Sequence, residues 1–151
     1  MRATVLHAAR DIRLDDVPTP QILADTDAIV RVVAACICGS DLWPYRGVNE
    51  VTEPLRIGHD FVGVVEQVGA TVTNVTPGDF VIAPFTFSDN TCKLCERGVH
   101  TSCVNGGFWA TPTRRAIWPT AARAELVRVP WADGTLVPPP SEPDAALIPT
   151  C

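Results

Sequence analysis

The chain has 151 residues, the size of one ordinary domain, and with 46% hydrophobic residues it can build a core without a disulfide framework. Its net charge of −5 leaves no basic surface fit to hold a phosphate backbone, which argues against a nucleic-acid partner. Charges interrupt every apolar run of the N-terminal "MRATVLHAARDIRLDDV" and no later stretch reaches bilayer length, so neither a signal peptide nor a membrane partner is expected, and a cytoplasmic protein is. In that reducing compartment six cysteines point to metal or catalysis rather than to disulfides.

In chain order, "RATVLH", "IRLDDV", "DAIVRVVAAC", "DFVGVVEQV", "FVIAP" and "AELVRVP" are short and rich in β-branched residues, and each predicts a strand. Turn signals such as Asn74 to Asp79 and Asp133-Gly134 separate them, while fourteen prolines and ten glycines leave little room for long helices. The expected fold is mainly β. Near the end, Ser141 as an N-cap and Asp144 in the first turn predict a helix opening at "AALI". "PTRRAIWPTAAR", residues 112–123, has no clear period and predicts no element.

The clearest chemical signal is "SDNTCKLCERGVHTSC", residues 88–103. Cys92 and Cys95 have the C-x2-C spacing that lets two thiolates bind one tetrahedral zinc, and Cys103 offers a third from the far end of a loop. For the fourth position two residues compete, Asp89 and His100. A second, dispersed constellation combines Cys38, which follows a strand, with His59 at the mouth of another and Asp60 beside it. Together Cys38 and His59 could give sulfur and nitrogen to an open zinc site that keeps one position free. Ser40 stands two residues from Cys38, where its hydroxyl can relay a proton, and Asp41 can orient the backbone or a ligand from behind. Cys36 is read as packing.

"CICGSDLW" resembles the C-G-[ST]-D segment, "GHDFVGVVEQVG" is similar to the G-H-E-x2-G-x5-G signature, and the cysteine loop resembles the structural-zinc lobe of the medium-chain zinc-dependent alcohol dehydrogenases. The resemblance covers nearly the whole chain and implies the family's N-terminal catalytic domain. That domain is a GroES-like irregular β-barrel with short helices and a zinc-binding lobe. Residues 1–140 would form it, with the lobe at 88–104, and 141–151 would start the connecting helix toward a cofactor domain. No G-x-G-x-x-G follows any predicted strand, so a Rossmann domain is expected to be absent from this chain.

The same resemblance implies the chemistry. Cys38 and His59 would be catalytic zinc ligands, Ser40 the proton-relay hydroxyl, and Asp41 a residue supporting the site near His59. Asp60 stands where the family has glutamate, one methylene shorter. Asp89, Cys92, Cys95 and Cys103 would form a Cys3Asp structural-zinc site, Asp89 replacing the usual cysteine. Cys151, or the position of Thr150, would supply the third catalytic ligand if it lies within the chain. Zinc would act as a Lewis acid on an alcohol or aldehyde substrate and NAD(P) would take the hydride. Homo-oligomer contacts would come largely from the cofactor domain, without which the chain is expected neither to bind nicotinamide tightly nor to turn over alcohol. The alternative is a non-enzymatic zinc-stabilised binding module on the same barrel, or an inactive fragment. Trp43, Tyr45 and Phe85 are, by position, either cleft residues or core or surface aromatics.

Overall fold

The computed structural model describes residues 1–109 and 121–140. The expected helix at 141–151, Thr150, Cys151 and most of the 112–123 segment lie outside the described residues.

All six predicted strands form. They are β1 (Arg2–Ala8), β2 (Asp11–Asp16), β3 (Ala28–Ala35), β5 (Phe61–Val68), β6 (Phe80–Ala83) and β9 (Leu126–Val129). Three two-residue strands join them, β4 (Leu55–Arg56), β7 (Thr86–Phe87) and β8 (Gly107–Phe108), with two single-turn helices, α1 (Leu42–Tyr45) and α2 (Ala132–Thr135). Alternation explains the long strands: in β5, Phe61, Gly63 and Val65 face inward while Val62 and Val64 are half-exposed. The strands make an antiparallel sheet ordered β6-β5-β3-β9, a second ordered β2-β1-β4, and the small β7-β8 ladder. Isolated bridges, Ala3 to Ala124 and Ile82 to Val137, link segments outside these ladders.

The core is built from small β-branched side chains, among them Val30, Val65, Val81, Val127 and Val129, with Phe61 and Phe87 packed edge-on against Trp109 at ring separations of 5.5 and 5.6 Å. A buried ion pair ties the start of β3 to β9. Arg128 Nη1 donates to Asp27 Oδ2 at 2.9 Å, and the same oxygen accepts the amides of Leu23 and Ala24. Gly63 pairs with Val32 of β3, and a methyl group there would lie 2.6 Å from Val30 Cγ1 and against the Arg31 carbonyl. That contact is the physical reason for a glycine at this place in "GHDFVGVV".

The register of β3 against β5 places the dispersed constellation. Ala35 pairs with Phe61 in an antiparallel ladder, so the residues just after β3 and those just before β5 leave the sheet at the same end. Cys38 and His59, far apart in sequence, meet there.

Two candidate metal centres

The first centre lies at that end of the sheet. After β3 the chain turns through a 3-10 segment, Gly39–Asp41, with Cys38 in extended conformation as its N-cap. Asp41 fixes this turn: its Oδ2 accepts the Cys38 amide at 2.8 Å, and its own amide donates to the Cys38 carbonyl at 3.1 Å. Ser40 Oγ then stands 3.1 Å from His59 Nε2. The Ser40 hydroxyl and amide hold the Cys38 thiol below its ordinary pKa range, burial opposing them and His59 adding to the effect. Asp60 Oδ2 approaches His59 Nδ1 to 2.6 Å, yet off the line of a hydrogen bond, so this buried ring nitrogen has no aligned partner among the described residues. Sulfur, the Nε2 side of the imidazole and hydroxyl therefore converge, a donor set that suits zinc, while Nδ1 faces Asp60 on the ring's buried side. A third protein donor is not among the described residues.

Asp41 also reaches a residue that the sequence did not single out. Arg123 Nη2 donates to Asp41 Oδ2 at 2.5 Å and to the Cys36 carbonyl at 2.8 Å. Its signal in sequence was one of three basic residues in a segment without period, and only the fold shows that its side chain is largely buried. Among the described contacts Asp41 serves the Cys38 turn and Arg123, while His59 is met by Ser40 and Asp60. Cys36 is half-buried at the end of β3. Trp43 and Phe85 are exposed, Phe85 leaning on Phe108 at a ring separation of 5.8 Å, and Tyr45 is half-buried in α1.

The second centre is the cysteine lobe. Pairing of β7 with β8 closes its base, and Ser88 anchors it to α2 by donating to the Gly134 carbonyl and accepting nothing closer than His100 Nδ1, at 3.3 Å. The loop folds tightly through Glu96 N to Cys92 O and Gly98 N to Cys95 O, and a 3-10 turn, His100–Ser102, returns the chain to Cys103. Asp89, Cys92, Cys95 and Cys103 bring one ligand atom each within 4.8 Å of one another, the one such cluster among the described residues. His100 is not in it. Zinc with Zn–S bonds of about 2.3 Å sets tetrahedral S···S edges of about 3.8 Å and, with oxygen at about 2.0 Å, O···S edges of about 3.5 Å. Cys92 Sγ lies 3.5 Å from Cys95 Sγ and 3.9 Å from Cys103 Sγ, and Asp89 Oδ1 lies 3.4 and 3.2 Å from Cys95 and Cys103. The four atoms fit the ion.

Asp89 is prepared as a carboxylate. Burial pushes its pKa up, but hydrogen bonds from the Asn105 side chain, the Thr91 and Cys92 amides and the Cys103 thiol outweigh that and hold it well below the usual range. Asn105 Nδ2 takes Oδ2, at 2.5 Å, and so leaves Oδ1 to face the sulfurs. Burial, with the neighbouring Cys92, Cys103 and Asp89, pushes the Cys95 thiol up to about 12.

Comparison with known proteins decides the family. The model of the alcohol dehydrogenase GroES-like domain matches residues 24–141. The chain belongs to that family. As an alcohol dehydrogenase GroES-like domain it is 39% identical to a medium chain reductase/dehydrogenase of Acremonium sp, over 98% of this chain and 50% of the relative. It is 33% identical to zinc-type alcohol dehydrogenase B of Aspergillus flavus, over 93% of this chain and 32% of the relative. Among solved structures, an alcohol dehydrogenase from Thermus sp. ATN1 superposes with a TM-score of 0.85 at 35% identity, over 95% of this chain and 41% of that one. The GroES-like domain thus spans at most about half the length of these relatives.

Proposed function

We propose that this chain is the catalytic domain of a zinc-dependent alcohol dehydrogenase, moving hydride between an alcohol or aldehyde and NAD(P). The observation that carries this reading is the convergence of Cys38, Ser40 and His59, with Ser40 Oγ 3.1 Å from His59 Nε2, in a chain of this family. Cys38 and His59 would hold the catalytic zinc, and Asp89, Cys92, Cys95 and Cys103 the structural one.

When bound, the catalytic zinc supplies Lewis acidity that favours loss of a proton from an alcohol. The chain's own part is to place the donors and move that proton. The β3–β5 register sets Cys38 beside His59, and Asp41 holds the Cys38 amide so that the thiolate keeps one direction. Ser40 is exposed and touches His59 Nε2, so its hydroxyl can pass a proton from the site to water. Asp60, close to His59 Nδ1, offers negative charge to the ring's buried side. Bound NAD(P) would supply the hydride acceptor or donor, as the family resemblance implies.

Metal content of the purified chain, by native mass spectrometry, tests the two centres. The expected result is one zinc lost in Cys95→Ser and a distinct metal site lost in Cys38→Ser. Alcohol-dependent nicotinamide reduction, in a polypeptide joining this chain to a nicotinamide-binding domain, tests the reaction. Activity that survives Cys38→Ser and His59→Ala together would refute the assignment.

A further inference from the structure

We infer that Arg123 is a positioning residue that sets the spacing between the two donor segments of the Cys38–His59 centre. The inference rests on the metal reading above for its consequence, and on hydrogen bonds for its substance.

Arg123 holds one donor segment with its main chain and the other with its side chain. Its amide donates to the Ile57 carbonyl at 3.3 Å, and its neighbour Ala122 donates to the Gly58 carbonyl at 3.1 Å, so residues 122–123 run alongside the approach to His59. Gly58 lies flat against this segment. A methyl group on it would stand 2.8 Å from Arg123 Cγ and 2.9 Å from Arg123 N. The guanidinium reaches the other way, to the Cys36 carbonyl on one side of Ile37 and to Asp41, whose same oxygen accepts the Cys38 amide. The three groups converge on the turn that carries the thiol.

Burial makes the arrangement specific. The side chains of Arg123 and Asp41 are 14% and 10% exposed, so neither charge is satisfied by water and each depends on the other. Arg123 Nε is buried with no hydrogen-bond partner among the described residues. The fold tolerates that unmet donor while Nη2 is held between a carbonyl and a carboxylate, as expected where side-chain placement takes priority over full hydrogen bonding. Asp41 neutralises the guanidinium, which argues against an anion site there.

The test uses the 151-residue chain with zinc in its lobe, titrated with cobalt(II) and read by thiolate-to-cobalt absorption. Cys38→Ser defines the part of the signal due to this centre. Arg123→Met should weaken Cys38-dependent cobalt binding by about 10- to 100-fold, the range for residues that orient metal ligands, with Arg123→Lys intermediate. Amide hydrogen exchange across residues 36–41 should quicken by about tenfold or more in Arg123→Met, while lobe zinc stays at wild-type content. Unchanged exchange in that segment, or unchanged Cys38-dependent affinity, overturns the inference. If the wild type itself shows no Cys38-dependent cobalt, the metal reading fails and exchange alone decides the clamp. Should Arg123→Met lose its lobe zinc through misfolding, Asp41→Asn, which breaks the same ion pair at nearly constant volume, should show the same two effects.

Discussion

Replacing Asp89 by alanine removes the one oxygen donor from the lobe, and the structure sets the size of the effect. The thiolates of Cys92, Cys95 and Cys103 would remain, but zinc would lose its fourth protein ligand. Orienting residues behind a ligand are worth about 10- to 100-fold in metal affinity, so a direct donor belongs at or above the upper end of that range. At fixed zinc, a hundredfold weaker site removes about 2.7 kcal/mol of metal-linked stability. The Thr91 and Cys92 amides and Asn105 Nδ2 also lose their acceptor in this partly buried loop, at about 1 kcal/mol each. Together these come to about 6 kcal/mol, or about 12–24 °C of melting temperature for a chain of this length. Asp89→Cys should behave differently: a fourth thiolate restores the donor set and can accept the Thr91 and Cys92 amides, so the main loss is the Asn105 bond. Thermal unfolding at saturating zinc, paired with zinc loss to a chelator, measures both. An Asp89→Ala protein that melts within about 2 °C of wild type and releases zinc at the wild-type rate would refute the reasoning.

Asp27→Ala should destabilise the chain by about 3–5 kcal/mol in chemical denaturation, because Arg128 and Asp27 are only 9% and 2% exposed and the guanidinium would be left buried and unpaired. Gly58→Ala should cost about 1–3 kcal/mol by the same assay, since its φ of +104° and its contact with Arg123 both exclude a side chain. Asp133→Asn should lower stability at neutral pH by about 1–3 kcal/mol, the worth of hydrogen bonds to a charged group. Burial raises the Asp133 pKa, but bonds from the Asn74 amide and from the hydroxyl and amide of Thr73 outweigh it and leave the folded pKa lowered. The Asp133 contribution is therefore complete above the unfolded carboxyl's pKa of about 3.9 and fades as pH falls toward the lower folded value. Denaturant midpoints of the two proteins should converge in that acid window, and a gap that widens there would contradict the assignment.

The long strands were legible because alternation of β-branched residues persists over many positions, as in Phe61–Val68. β4, β7 and β8 were not, since two paired residues carry no period, and their pairing is a product of the fold around them. The lobe was legible from the spacing of Cys92, Cys95 and Cys103, and spacing alone left Asp89 and His100 as rivals until the loop's return path set His100 against Ser88. Arg123 was not legible. Its partners, Cys36 and Asp41, lie more than eighty residues away, and no local pattern announces a contact made only when β9 comes to rest beside β3.

The register of β3 on β5 has a bearing on how this domain can change. Since Cys38 and His59 leave the sheet at the same end, the chain from Trp43 to Pro54, between the Asp41 turn and β4, departs from and returns to one fixed place. Insertions and deletions within that excursion alter what surrounds the donors without moving the donors themselves, whereas a one-residue slip of the ladder would turn every inward side chain outward. Exposed Trp43 and Val48 lie on the excursion. Variation in its length and side chains can therefore change the surroundings of Cys38 and His59 while the sheet keeps the two residues in place.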